Sequence, residues 1–362
     1  MNIDELLKRT VEKDSSDLHL TVASPPVMRI NGVLSQVEEI PALRASDIIN
    51  VFDQISNHNQ KLIFQKDQEL DFAYPIPGLA RFRVNVMQQR GSMSMAFRRI
   101  PFEVPTIDQL ELPQICKELV LKPRGLILIT GSAGSGKSTT LAAMINHLNE
   151  TEKKNIITIE DPIEFLFSNK KCIIRQRDLG DDTRSFHIAL VNALRHDPDV
   201  IMIGEMRDLP TISIAVSAAE TGHLVLGTLH TIDAAQSIDR IVDVFPPEQQ
   251  RQVRLQLSQT LEAVLSQTLL PRKGGGRIAA FEIMLANSSI RKLIREGNIS
   301  DIPAHIQMYR QDGMQTMDQA MVTLVKQDEV DINDALKKSS NPISLKKMIQ
   351  GSGSYHQPSH AV

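Results

Sequence analysis

The chain has 362 residues, 41% hydrophobic and 23% charged, with a formal net charge of −3, which gives no global attraction to nucleic acid or anionic lipid. That length suits two domains with a core each, and no apolar run approaches the roughly 18 residues of a membrane span. Its two cysteines, Cys116 and Cys172, exclude a disulfide framework, a CxxC pair and a four-cysteine zinc site.

The start, Met1-Asn-Ile-Asp-Glu, lacks the basic and apolar regions of a signal peptide, so a cytoplasmic protein is expected. Residues 2–13 place Ile3, Leu6, Leu7 and Val11 on one helical face, and 17–22 alternate as a half-buried strand. After the Pro25-Pro26 break, 27–37 read as a hairpin turning at Asn31-Gly32. Residues 46–65 return to helical composition. Residues 69–74 and 80–87 read as paired strands around Pro75-Ile-Pro-Gly78, and 92–100 as one more. Residues 1–100 should therefore form a small α+β domain of one sheet and two helices. Alternation puts Arg81 and Arg83 on one face, and Arg98 and Arg99 follow on the next strand. They form either a solvated strand face or a cationic set over a nucleotide's phosphates, a task suited to guanidinium. Pro101, Pro105 and Pro113 mark 101–115 as a linker.

In the second domain, expected over 116–350, the apolar residues 126–129 read as a buried parallel strand and 137–148 as a helix. Between them, Gly131-x4-Gly136-Lys137-Ser138 fits the P-loop pattern in its required context of strand, loop and helix. Glycines let successive backbone N–H groups curl around an anion, and the helix N-terminus adds its positive end. Gly131, Ser132, Ala133, Gly134, Ser135, Gly136, Lys137, Ser138 and Thr139 are thus expected to hold ATP. Lys137 should reach the β and γ phosphates, and the Ser138 hydroxyl should ligate Mg²⁺.

Residues 156–159 form another apolar strand, after which Glu160, Asp161 and Glu164 cluster. Strand ends of this kind line the ligand crevice of an open α/β sheet. There one carboxylate can orient an attacking water and another can hold Mg²⁺. Residues 200–203 and Glu205 repeat the arrangement in a Walker-B-like form, with Gly204 where an Asp commonly ends the strand. Glu205 must then carry the magnesium role, through a water, and Arg195 and Arg207 flank it as phosphate or subunit contacts. His223 and His230 bracket the apolar run 224–226; each is either a satisfied surface residue or a γ-phosphate sensor. Residues 237–247 read as an amphipathic helix closed by prolines, with Arg240 a further contact to a neighbouring subunit. Residues 248–270 read as one long helix. Gly274-Gly-Gly276 is a turn before a strand over 277–284, and helices follow over 288–296, 316–327 and 332–338. The tail from 351 to 362 reads as disordered.

Taken together, these residues resemble the secretion-superfamily hexameric ATPases, and among them the type IV pilus retraction ATPases. The resemblance runs from Asp17-Leu-His-Leu to about residue 350. The family's aspartate box resembles Ile159-Glu-Asp-Pro-Ile-Glu-Phe165, its Walker B residues 197–208, and its histidine box residues 221–231. A C-terminal signature resembles Ser289-Ile-Arg-Lys-Leu-Ile-Arg-Glu296 and Gly313-Met-Gln-Thr-Met-Asp-Gln319. The resemblance implies a PAS-like N-terminal domain followed by a RecA-like P-loop domain with a parallel-rich sheet. It implies Glu164 as catalytic base, Glu205 as the Walker B glutamate, and His223 and His230 as readers of nucleotide state. Arg81, Arg83 and Arg98 would close on the nucleotide. Further implications are a homohexamer at the cytoplasmic face of the inner membrane, a platform protein in that membrane, and an accessory retraction ATPase as a possible companion. Two departures stand out: Ser132-Ala133 where the family more often has Pro-Thr, and Ser289 and Lys292 where Ala and Asn are usual. The alternatives are an assembly or export ATPase, the accessory retraction ATPase itself, a RecA-like nucleic-acid translocase, and a nucleotide sensor without turnover. No Trp and three Tyr leave little for stacking on single strands, so no nucleic-acid partner is expected.

Overall fold

The computed structural model describes residues 2–30, 32–100 and 103–351. The chain divides into two units, residues 1–103 with Glu164–Leu166, and residues 104–163 with 167–362.

The first unit runs α1 (Ile3–Glu12), β1 (Ser15–Leu20), β2 (Val27–Ile30), β3 (Val33–Gln36), α2 (Ala45–Ile55), α3 (His58–Asp67), β4 (Glu69–Ile76), β5 (Ala80–Gln89) and β6 (Ser92–Ile100). Its six described strands pair antiparallel in the order β3-β2-β1-β6-β5-β4. Leu18, Leu20, Phe82, Val84, Met95 and Phe97 share one face and are buried with the apolar sides of the three helices. The expected helix over 46–65 is two helices. Ser56 ends the first, and Asn57 opens the second by exchanging hydrogen bonds with Gln60, a capping box that restarts the helix. Asn31 of the expected hairpin turn lies outside the described residues.

On the other face of this sheet Arg98 stands opposite both Arg83 and Asp17. Arg81 follows two residues before Arg83, on the same face. These arginines are engaged locally: Arg83 pairs with Asp71 at 3.0 Å and Arg98 with Asp17 at 2.9 Å. Arg99 has the opposite parity and pairs with Asp14.

The expected linker over 101–115 is too long. Residues 101 and 102 lie outside the described residues, but Ile107 and Leu112 are buried in the second unit's core, so 104–115 belongs to that unit. The second unit continues with α4 (Ile115–Val120), β7 (Gly125–Thr130), α5 (Lys137–Thr151), β8 (Asn155–Glu160), β9 (Ile173–Asp178), α6 (Phe186–Ala193), β10 (Val200–Ile203), α7 (Leu209–Glu220) and β11 (Leu224–Leu229). It ends with α8 (Ala234–Asp243), α9 (Pro247–Thr260), β12 (Leu261–Pro271), β13 (Arg277–Leu285), α10 (Ser288–Glu296), α11 (Ile302–Met308), α12 (Met317–Lys326), α13 (Ile332–Lys338) and α14 (Pro342–Gly351). The seven described strands lie in the order β13-β12-β7-β11-β10-β8-β9, parallel throughout except for the β12–β13 hairpin.

The expected helix over 248–270 is half wrong. α9 stops at Thr260, and β12 then runs between β7 and β13. Ala263 and Leu265 are buried on the face covered by α4 and α5, and Val264 on the face covered by α6 to α11. A strand buried on both sides reads as a continuous apolar run, without the alternation that identifies a half-exposed strand. The α12–α14 block packs on Leu270, Ile278 and Ala280 of the hairpin. Gly351 closes α14, and the rest of the expected tail, 352–362, lies outside the described residues. No helix among the described residues is long and apolar enough to cross a membrane.

Candidate active site

Parallel strands deliver their C-terminal ends to one edge of the sheet. Thr130 of β7 lies level with Leu229 of β11, and Ile203 of β10 level with Ile159 of β8. The chain leaves β7 through Gly131 to Gly136 and enters α5 at Lys137. Gly131, Gly134 and Gly136 have φ of +141°, +74° and +91°, a region that side chains with a Cβ rarely adopt. A methyl group on Gly131 would overlap the Gln267 carbonyl oxygen and lie 2.7 Å from Ser135 Oγ; one on Gly136 would lie 2.8 Å from Gln267 Nε2. Lys137 Nζ curls back to donate to the carbonyls of Gly131 at 2.8 Å and Ser132 at 3.1 Å. Ser135 Oγ is buried without a hydrogen-bond partner. A loop whose first glycine is forced by close backbone packing, whose lysine folds over it and whose buried hydroxyl lacks a partner fits a phosphate group.

Two residues under this loop escape the sequence reading because they fall in the misread stretch. Thr140 donates to Gln267 Oε1 at 2.8 Å, and Thr130 to Ser266 Oγ at 2.9 Å. The available signal was the Gly274-Gly-Gly276 turn: the strand after it needs an antiparallel partner before it.

Beyond β10, Gly204 passes close to β8. Its N–H donates to the Ile159 carbonyl at 2.7 Å, and a Cβ there would sit 3.1 Å from that same oxygen and 3.2 Å from the Glu160 Cα. A side chain there would have to push the β8 backbone aside by a few tenths of an ångström. Glu205 follows, largely buried, with Arg207 donating through Nη2 at 2.6 Å and His230 Nε2 at 3.0 Å from its Oε1. Burial alone would raise its pKa, but the bonds from Arg207 and His230 outweigh it and hold the carboxyl below its ordinary value. Glu205 is thus an ionised group held between two donors. Glu160, by contrast, accepts from Thr158 at 2.6 Å and Gln176 at 3.1 Å.

The structure brings Lys137, Ser138, Glu205, Arg207 and His230 to one edge and sends other expected residues elsewhere. His223 precedes β11, and its carbonyl accepts from the Gly125 N–H at the start of β7. It therefore lies at the opposite end of the strand from His230, and its Nδ1 sits 3.0 Å from the Ala218 carbonyl oxygen. The expectation that both histidines share one crevice fails within the chain, because a six-residue strand separates them. Arg195 is exposed between α6 and the start of β10, also at the far edge, and Arg240 is exposed on α8. Glu164 groups with the first unit.

The family model described as Type II/IV secretion system protein matches residues 1–337. The chain belongs to that family. The Type IV pilus retractation ATPase PilT of Pseudomonas aeruginosa is 46% identical over 342 residues, covering 94% of this chain and 99% of that one. A Neisseria gonorrhoeae protein named Twitching motility protein is 46% identical over 321 residues, 88% of this chain and 86% of its own length. The crystal structure of the pilus retraction motor PilT with bound ADP matches with a TM-score of 0.90 at 45% identity, covering 96% of this chain and 100% of that one. This member of the secretion ATPase family is accordingly a nucleotide-binding ATPase, and its P-loop sheet has that family's fold.

Proposed function

We propose that the chain is the subunit of a ring-shaped motor that hydrolyses ATP to withdraw type IV pili. The observation that carries the hydrolytic part is Glu205, held ionised by Arg207 and His230 on the same sheet edge as the P-loop. The pilus assignment draws on near end-to-end likeness to a retraction ATPase.

In this reading residues 131–139 cradle the phosphates, and Lys137 exchanges its two loop carbonyls for phosphate oxygens. Ser138 and Glu205 offer the hard oxygen donors that suit Mg²⁺; when bound, the ion neutralises charge building on the phosphates. Glu164 is the base that orients water, and His230 reports the state of the nucleotide through Glu205. Arg83 and Arg98 would trade Asp71 and Asp17 for phosphate, with Arg81 beside them, and exposed Arg195 and Arg240 would meet a neighbouring subunit. His223, remote from its own chain's P-loop, would read the state of a neighbour. Six copies would form the ring at the cytoplasmic face of the inner membrane, where it would turn a platform protein, with an accessory retraction ATPase as a possible companion.

The test is a deletion strain complemented with wild type, Lys137→Ala or Glu164→Ala, with surface pili counted by electron microscopy. Excess pili and lost twitching, rescued by wild type alone, are expected. A bald cell would overturn retraction in favour of assembly.

A further inference from the structure

Glu282 sits on β13, largely buried, and accepts a hydrogen bond from the Ala234 N–H at 2.8 Å, at the first residue of α8. The N–H of Met317, the first residue of α12, also faces the carboxyl closely enough to favour its charged form. The starts of two helices therefore converge on one side chain. Helix starts leave backbone donors unsatisfied and present the positive end of the helix dipole. The ordinary caps are already in place: Asp233 accepts from Gln236 and Thr316 from Gln319. Glu282 takes the Ala234 donor that the first of those caps leaves and faces the Met317 N–H at the second.

Each helix start leads somewhere different. Three residues separate His230 from Ala234, and Thr231 in that interval is hydrogen-bonded to Ser237 of α8. The start of α8 thus anchors the segment that carries His230 to Glu205. α12 opens the C-terminal helical block. Glu282 also stands opposite Ser266 of β12, and Ser266 opposite Thr130 of β7, the residue before Gly131. A row of polar side chains, Glu282, Ser266 and Thr130, crosses three strands to the base of the P-loop.

We propose that Glu282 is a positioning residue for ATP hydrolysis, tying the start of the C-terminal helical block to the His230 segment and so setting how firmly His230 is held against Glu205. The proposal rests on the reading of Glu205 and His230 as part of the active site. Burial, with Asp233 at the cap of α8 and Asp318 of α12 nearby, pushes the Glu282 carboxyl up to about 7, while the N–H groups of Ala234 and Met317 pull the other way; Ser266, facing it from β12, is neutral. An ionised carboxylate grips N–H groups more strongly than a neutral one, so the hold tightens as pH rises through that value.

The experiment is steady-state ATPase activity of the full chain between pH 5.5 and 9, with melting curves, for wild type, Glu282→Gln, Asp318→Asn and Glu205→Gln. Wild type should show kcat rising through an inflection near the Glu282 pKa. Glu282→Gln should remove that inflection and lower kcat at pH 8 about tenfold, the difference between a charged and a neutral hydrogen bond, with the KM for ATP little changed. Asp318→Asn keeps the oxygen that accepts from Ser339 at 2.8 Å and removes a negative neighbour, so the inflection should move to lower pH. It decides the matter if Glu282→Gln fails to fold. An unchanged inflection in Asp318→Asn, or a Glu282→Gln profile that follows wild type, overturns the proposal alone. Full activity in Glu205→Gln overturns the active-site reading with it.

Discussion

The two ends of β11 carry the same side chain in different chemistry. At the C-terminal end His230 touches an ionised carboxylate beside the P-loop edge; at the N-terminal end His223 touches the Ala218 carbonyl oxygen. A strand of six residues at about 3.3 Å per residue holds the ends about 20 Å apart. Residue type and motif spacing therefore do not identify an active-site histidine. In a parallel sheet, the strand end decides, because all strands present their C-termini together. The far edge is tied off structurally: Asn155 donates to the His196 carbonyl at 2.8 Å and the Asp197 carbonyl at 2.6 Å, and its N–H donates to Asp199.

Breaking the comparison starts with Lys137→Ala, which removes the cation folded over the loop and should lower kcat by at least about 10²-fold, as loss of a transition-state donor does. Residual activity within tenfold of wild type would remove the P-loop from the chemistry. The paired histidines sharpen it. His230→Ala should cost about tenfold in kcat, whereas His223→Ala in the isolated chain should cost less than about threefold, judged by single-turnover hydrolysis with saturating ATP. Equal losses would mean that the far edge serves the chain's own chemistry, and the strand-end argument would fail.

A third pair separates packing from chemistry. Gln267→Ala deletes the acceptor for Thr140 and the contact beneath Gly136, and Asn155→Ala deletes two bonds at the opposite edge. Gln267→Ala should cost about 1–3 kcal/mol of stability, the penalty of an unsatisfied buried group, and Asn155→Ala, whose partners are exposed, about 1 kcal/mol or less, read by denaturant unfolding. Only Gln267→Ala should also lower kcat, by several-fold. Matching kinetics in the two variants would show that the loop does not need its floor.

Much of this edge was legible because short motifs in alternating strand and helix contexts report backbone geometry directly. Gly131, Gly136 and Lys137 could be placed from spacing alone, and the apolar runs at 126–129 and 200–203 lie in β7 and β10. What stayed hidden depended on tertiary burial. β12 has no alternation because both of its faces are covered, so Ser266 and Gln267 were absorbed into a supposed helix. Ile107 and Leu112 looked like linker because the core they fill is assembled from strands distant in sequence. The break at Ser56-Asn57 was readable from the Asn57-x-x-Gln60 capping pair, and overall helical composition masked it. The opposite ends of β11 could have been told apart once the order of strand and loop was taken literally.

The smallest effects sit in acid stability, where two carboxylates reached from this edge should behave oppositely. Glu205 has a lowered pKa, so the unfolded chain binds its proton first, and its contribution to stability is present above the ordinary value of 4.5 and lost as pH falls through the folded one. Glu282 has a raised pKa, so its contribution is full below 4.5 and is lost as pH rises through about 7. Melting temperatures should therefore diverge in sign. On acidification from pH 8 to 4.5, wild type should gain on Glu282→Gln; below pH 4.5, it should lose ground against Glu205→Gln. A wild-type advantage over Glu205→Gln that persists unchanged to pH 3 would mean that Arg207 and His230 do not hold Glu205 as an ion, and the asymmetry between the two ends of β11 would lose its electrostatic basis.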